Sequence, residues 1–296
     1  MPAKHSTDPS SGGDSAGSEH TRFIVFGGAR TGSNMLVFAL NSSREIACFG
    51  ELFRFMDDSI DFRVAGYNKH SAADLELRNG DFSRFLDQRI FVEMRGVVAV
   101  GFKIHYTHFF GFPGLKEWLA EQHDIRVVHL RRRNLLRMLV STEIAKTTGD
   151  WIDPVAPSLS NQLEPAKLLN ALRHPAHYAA RLLQLLRPKP TERKSQREPV
   201  TLSPQECKDF FMKTEILIKR YEELFSEHRV LTLFYEDLLG DLRGTLDSAQ
   251  DFLGVSPQAL EIGTKRQNPE PLHMLISNYG ELCAAFKGTP CEQFLD

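Results

Sequence analysis

Residues 22–40, RFIVFGGARTGSNMLVFAL, constrain the fold more than any other stretch. Residues 22–26 form a short run of apolar, β-branched and aromatic side chains, the pattern of a buried strand. Residues 27–34 are glycine-rich and polar, and residues 35–40 open an apolar helix. A strand, a glycine turn and a helix N-terminus in that order build an anion site, because free backbone N–H groups converge there and the helix dipole favours negative charge. Gly28 and Gly32 let the backbone turn tightly. Thr31, Ser33 and Asn34 add side-chain donors, and Arg30 adds a planar cation. Gly27 and Gly32 have the GxxxxG spacing of a Walker A loop, but Ser33 stands where that motif has Lys. The positive charge sits inside the loop, at Arg30, which disfavours an ordinary ATPase or GTPase. A plain strand–turn–helix with Arg30 in solvent has the same local pattern, so the loop alone leaves phosphate binding open.

The rest of the chain repeats the βα alternation. Residues 46–49 read as a short strand that delivers Glu51 to the top of a sheet. Residues 97–104, VVAVGFKI, are a near-continuous apolar run, as a central parallel strand requires, and end at Lys103 and His105. Residues 113–123 have the spacing of a short helix, with Leu115, Trp118 and Leu119 on one face. A further strand over 125–130 runs into Arg131, Arg132 and Arg133 and then a helix over 135–146. Ser203, Pro204 and Glu206 form a capping-box start for a helix reaching about Phe225. A strand over 229–234 leads into Tyr235–Glu236–Asp237, and a helix over 242–253 closes at Gly254. Residues 263–272 are polar and extended, and a last helix is expected over 272–286. The pattern predicts an α/β fold, a P-loop-like three-layer α/β/α sandwich around a mostly parallel sheet.

Domain limits follow from composition. Residues 1–20 are rich in Ser, Gly and Asp without apolar periodicity, which predicts a disordered N-terminal tail. Residues 21–296 read as one domain with a helical and loop insertion at about 150–200. Within it, 187–199 (RPKPTERKSQREP) are a basic exposed linker or lid. The formal net charge of -2 gives no global pull toward nucleic acid or acidic lipid, so any anion site is local. The 21 Phe residues, against two Trp, are mostly core filling. The four Cys show no CxxC spacing, which disfavours structural zinc and a disulfide scaffold. No apolar run approaches the ~18 residues of a membrane span and the first residues lack a signal-peptide core, so a cytoplasmic protein is the default.

Four separated pieces resemble sulfotransferases that use 3′-phosphoadenosine 5′-phosphosulfate (PAPS), most closely the bacterial carbohydrate branch that includes the trehalose and nodulation-factor enzymes. GGARTGSNML is similar to the family's 5′-phosphosulfate loop. HLRRRNLLRMLVS is similar to its 3′-phosphate motif, with Arg133 and Ser141 carrying the match. FYEDL is a family segment at a strand end. GTKRQNPEPL, followed by ISNYGEL and FKGT, is similar to the branch's C-terminal pattern. One departure is Arg133-Asn134-Leu135, where the family usually has Arg-Asn-Pro.

The resemblance implies sulfuryl transfer from PAPS to a hydroxyl, with 3′-phosphoadenosine 5′-phosphate (PAP) as product and no metal. Arg30, the loop N–H groups and the Thr31 and Ser33 hydroxyls would hold the 5′-phosphate and sulfuryl oxygens. Arg133 and Ser141 would hold the 3′-phosphate, and Lys265 and Arg266 would close over the nucleotide. Glu51 is the first candidate for the base that takes the acceptor proton, and its apolar flank of Phe49, Leu52 and Phe53 is expected to raise its pKa. A Glu paired with a nearby Arg is the plainer reading. His105 is the second candidate, against an ordinary strand-end histidine. Lys103 would touch the bridging oxygen or neutralise the pocket. The acceptor would be a small-molecule or glycolipid hydroxyl. Phe55, Phe62, Tyr67, Trp151 and Tyr178 are candidates to stack on a sugar or to line an apolar pocket, and the sequence does not choose between them. The family also implies a possible homodimer.

Two other classes compete. A nucleotide-dependent kinase would need Lys after Gly32 and an acidic Mg²⁺ ligand such as Asp237. A non-catalytic nucleotide- or sulfate-binding module would keep the loop without a base.

Overall fold

A computed structural model describes residues 20–54, 59–64, 71–149 and 198–295. The expected tail over 1–19, nearly all of the 150–200 insertion with its basic segment, and Phe55, Tyr67, Trp151 and Tyr178 lie outside the described residues.

Among the described residues five strands form one sheet in the order β2-β3-β1-β4-β5, with every pairing parallel. They are β1 (Thr21–Gly27), β2 (Ile46–Glu51), β3 (Ala99–His105), β4 (Arg126–Arg131) and β5 (Val230–Phe234). Strand alternation divides the core in two. Ile24 and Phe26 of β1 face one side with Phe49, Phe102 and Val127, whereas Phe23 and Val25 face the other with Cys48, Val128 and Leu233. Each of these buried aliphatic and aromatic side chains contributes about 1.5–3 kcal/mol on leaving water.

Helix α1 (Ser33–Leu40) covers the second face. The first face is covered by the segment α2 (Ala72–Gly80), α3 (Phe82–Phe85) and a π-turn at Leu86–Ile90, and by α4 (Leu115–Glu121). Helix α5 (Leu135–Thr148) packs on the N-terminal half of α6 (Pro204–Leu224), while the C-terminal half of α6, with Ile218 and Tyr221, lies on the first face. Ser203 caps α6 with the expected box, its side chain accepting the Glu206 N–H. The short α7 (Tyr235–Gly240) follows β5 directly, and α8 (Leu242–Leu253) ends at Gly254, whose φ of 81° suits glycine.

The single last helix expected over 272–286 is instead two: α9 (Leu272–Leu275) and α10 (Tyr279–Phe286). Ile276 leaves helical geometry to bridge Val200, and Asn278 ties to the Leu202 backbone. The apolar period alone does not register that interruption. Phe62, offered above as a sugar platform, is buried edge-on against Phe49.

Candidate active site

The C-terminal ends of β2, β3, β1 and β4 lie side by side, the place where open parallel sheets bind ligands. At the centre the β1–α1 loop turns through two left-handed residues, Arg30 at φ 64° and Gly32 at φ 86°. A side chain at Gly32 would lie 2.5 Å from the Tyr235 ring, so both the backbone sign and the space require glycine. Arg30 bears the cost of this conformation because its groups are held elsewhere. Its Nε donates to Ser141 Oγ at 2.9 Å, its Nη2 donates to Gln267 Oε1, and its carbonyl accepts Arg132 Nη1 at 3.1 Å. Thr31 is buried, and its hydroxyl donates to the Gly28 carbonyl at 2.9 Å, bracing the turn. Ser33 opens α1, and its Oγ lies 3.4 Å from His105 Nε2.

On the β2–β3 side a buried polar cluster faces α1. Phe102 and Ile104 point into the first core, so alternation turns Lys103 and His105 toward the opposite face. Lys103, 1% exposed, donates to Asn34 Oδ1 at 2.6 Å and to Glu51 Oε1 at 2.7 Å. Glu51 is aimed there by a register shift between Phe49 and Glu51, a bulge at the end of β2. Arg63 also donates to Asn34 Oδ1, at 2.6 Å, and pairs with Asp61. His108 Nε2 lies 3.6 Å from Glu51 Oε2.

Burial does raise the Glu51 pKa, as its apolar flank predicts, but His108, the Lys103 ammonium and His105 outweigh it. The carboxyl is held well below the usual carboxylate range. That corrects the expected upward shift: His108 and a buried lysine, neither announced by the flanking sequence, lower it. Lys103 is so enclosed that burial lowers its own pKa, against the opposing pull of Glu51. Burial, then Lys103, pushes His105 well below its ordinary value, which leaves a neutral imidazole.

The β4 side is open. The three arginines diverge. Arg131 pairs with Glu222 at 2.7 Å. Arg132 turns inward over the Tyr235 ring, 4.6 Å from its centroid, and reaches the loop. Arg133 stacks on Phe234 and makes a two-pronged bond to Asp237 at 2.7 and 2.9 Å. Leu135 begins α5 without the family's proline. Asn134 caps the helix by accepting the Arg137 N–H at 2.8 Å, and Glu236 accepts the Arg133 and Asn134 N–H groups.

Ser141 meets Arg30 and the Asn268 amide rather than Arg133, which is held by Asp237. The 265–268 segment reaches the loop through Gln267 and Ser141 through Asn268, while Lys265 and Arg266 stay exposed. Gln267, Asn268, Arg132, His108, Arg63 and Asp61 are members that sequence reasoning passed over. The first two stand inside the quoted GTKRQNPEPL piece, and His108 is one 3₁₀ turn past His105. Glu51, His105 and His108 have ligand atoms within 4.8 Å of one another, a set that could hold a cation. A divalent ion there would share Glu51 with the Lys103 ammonium, which works against it.

Loop, arginines and ion pair together suit an anionic donor beside a proton acceptor. No described helix is long and apolar enough to cross a membrane. The chain is similar to Nodulation protein H of Rhizobium tropici, at 25% identity over 93% of this chain and 92% of that protein. It is also similar to Nodulation protein H of Rhizobium meliloti (strain 1021), at 23% identity over 93% and 94%. A crystal structure of a sulfotransferase from Alicyclobacillus acidocaldarius aligns over 91% of this chain and 92% of its own, with 17% identity and a TM-score of 0.45. The family model described as "Sulfotransferase family" matches residues 22–259, well over half of the sequence, and the chain therefore belongs to the sulfotransferase family, enzymes of sulfuryl transfer.

Proposed function

We propose that the donor is PAPS and that the acceptor is a hydroxyl of a carbohydrate or glycolipid-like molecule, sulfated by in-line displacement. The observation that carries this reading is the meeting of the strained Arg30 loop with Ser141 on one side and the buried Glu51–Lys103 pair on the other. The loop N–H groups and Arg30 bind the 5′-phosphosulfate. Ser141 and Arg133 take the 3′-phosphate, Arg133 exchanging Asp237 for it. The exposed Lys265 and Arg266 add positive charge as the donor enters.

The acceptor oxygen attacks sulfur as the bond from sulfur to the bridging 5′-phosphate oxygen breaks. The electron pair leaves with PAP, and the hydroxyl proton passes to Glu51. A carboxylate with a low pKa can serve here because the attacking hydroxyl becomes strongly acidic only as its new bond to sulfur forms. Donors aimed at the departing oxygen lower the barrier by about 3 kcal/mol each, by analogy with oxyanion sites. Arg30 and the loop N–H groups are the main donors, and Lys103 neutralises the pocket. His105, neutral and beside Ser33, is the second candidate for the base. The kinase reading loses ground because Ser33 stands after Gly32, where that chemistry needs Lys.

The test is PAP release from PAPS with a panel of mono- and oligosaccharides and an alkyl glucoside, without added metal. The expected result is sulfated sugar, with turnover reduced about a hundredfold in Arg30→Ala and lost in Glu51→Gln. Transfer of phosphate from ATP with magnesium, and none from PAPS, would replace this reading with the kinase.

A further inference from the structure

His108 sits in the single 3₁₀ turn Tyr106–Phe110 that follows β3, and its ring is buried. Two contacts set its orientation. Its Nδ1 accepts the backbone N–H of His105 at 3.3 Å. In the neutral ring that nitrogen therefore carries no proton, and the proton resides on Nε2. Nε2 in turn faces Glu51 Oε2 at 3.6 Å, while Lys103 occupies Oε1. The His105 ring lies alongside, with centroids 5.0 Å apart. Glu51 is thus bracketed by a cation on one oxygen and an N–H on the other. At 3.6 Å the second contact is longer than a hydrogen bond, and a small rotation of the carboxylate would close it.

Resting on the proposed role of Glu51 as proton acceptor, we propose that His108 is a positioning residue for sulfuryl transfer: its Nε2–H orients the Glu51 carboxylate so that an oxygen lone pair faces the acceptor hydroxyl. His108 touches neither reacting atom. Its backbone bond locks the tautomer, and the tautomer supplies the donor. The other charged and titratable groups around Glu51 are Lys103 and His105 from β3 and Arg63 and Asp61 from the 59–64 segment. None of these contacts its Oε2 in the way His108 does.

The two functions of the ring can be separated by substitution. His108→Asn keeps an acceptor near the Nδ1 position and removes the Nε2–H donor. His108→Gln places an amide N–H near the Nε2 position. The account expects ¹⁵N imidazole spectra of the wild type to show the Nε2–H tautomer near neutral pH. It expects kcat for PAP formation from PAPS to fall about ten- to a hundredfold in His108→Asn, the scale of one lost hydrogen bond to a charged group. The acid limb of the rate profile should move to higher pH, PAP affinity should not change, and His108→Gln should recover most of the rate. The acceptor is the best sugar of the panel, or water if none is sulfated.

An Nδ1–H tautomer would overturn the proposal. So would His108→Asn with wild-type rate and pH profile, or equal impairment of Asn and Gln variants accompanied by lower melting temperatures. If Glu51→Gln itself turns over normally, the base assignment fails. If Glu51→Gln is inactive while His108→Asn is normal, only the positioning role fails.

Discussion

The two sides of the site are built on opposite principles. At the ends of β2 and β3, Lys103, Glu51, Asn34 and Arg63 are largely buried and interlocked by short polar contacts, with the buried His108 ring 3.6 Å from Glu51. At the end of β4, Arg133 and Asp237 pair at the surface, with side chains 49% and 45% exposed. A buried ion pair is costly to break, whereas an exposed one is worth about 0–1 kcal/mol and exchanges partners readily. Under the proposed function the two sides do different work. The interlocked side would keep Glu51 and Lys103 in place before substrate arrives. The open side would give up Asp237 for a phosphate with little loss.

The comparison breaks first on stability. Lys103→Met leaves the Glu51 charge buried without its partner and should cost about 3–5 kcal/mol in urea unfolding. Arg133→Ala should cost no more than about 1 kcal/mol. Adding Glu51→Gln to Lys103→Met should restore much of the loss. Equal costs for the two single variants would mean that the two sides do not differ.

A second test uses pH. His129 packs against Phe26, and its Nε2 meets the Tyr106 hydroxyl at 2.6 Å. Burial, then Arg131, pushes its pKa down from 6.5 to about 4. His105 is lowered in the same direction. Between these values the unfolded chain binds more protons than the folded one, so stability is full above about pH 6.5 and falls as pH drops toward 4. The share from His129 is roughly 3 kcal/mol. Melting temperatures from pH 7.5 to 4.5 should follow this slope, and His129→Gln should flatten it. No slope in the wild type would show that these histidines charge without cost in the folded protein.

The smallest effect belongs to the open side. Asp237→Asn frees Arg133 and removes a negative charge from the phosphate position. PAP affinity should rise about two- to fivefold. A fall would show that Asp237 orients Arg133 for the ligand and does not merely occupy it.

The scaffold was legible because its signals are local. The apolar runs gave the strands, the glycine loop gave the turn, and Ser203, Pro204 and Gly254 marked helix ends. The loop residues and Glu51 were also legible, as a glycine pattern and a carboxylate placed after a strand. What escaped depends on long-range partners. The downward shift at Glu51 needs His108 and Lys103, which lie 57 and 52 positions away in sequence. The contact of Ser141 with Arg30 rather than Arg133, and the reach of Gln267 to the loop and of Asn268 to Ser141, depend on how α5 and the C-terminal segment pack. The break at Ile276 depends on Val200 arriving beside it.

The central claim is that the loop, Ser141 and Arg133 hold a nucleotide carrying two separated phosphates. Calorimetric titration of the wild type and of Arg133→Ala with PAP, without magnesium, tests it before any acceptor is known. The account predicts micromolar binding, about -8 kcal/mol, weakened at least tenfold by the substitution. No binding, or binding indifferent to Arg133, would contradict it.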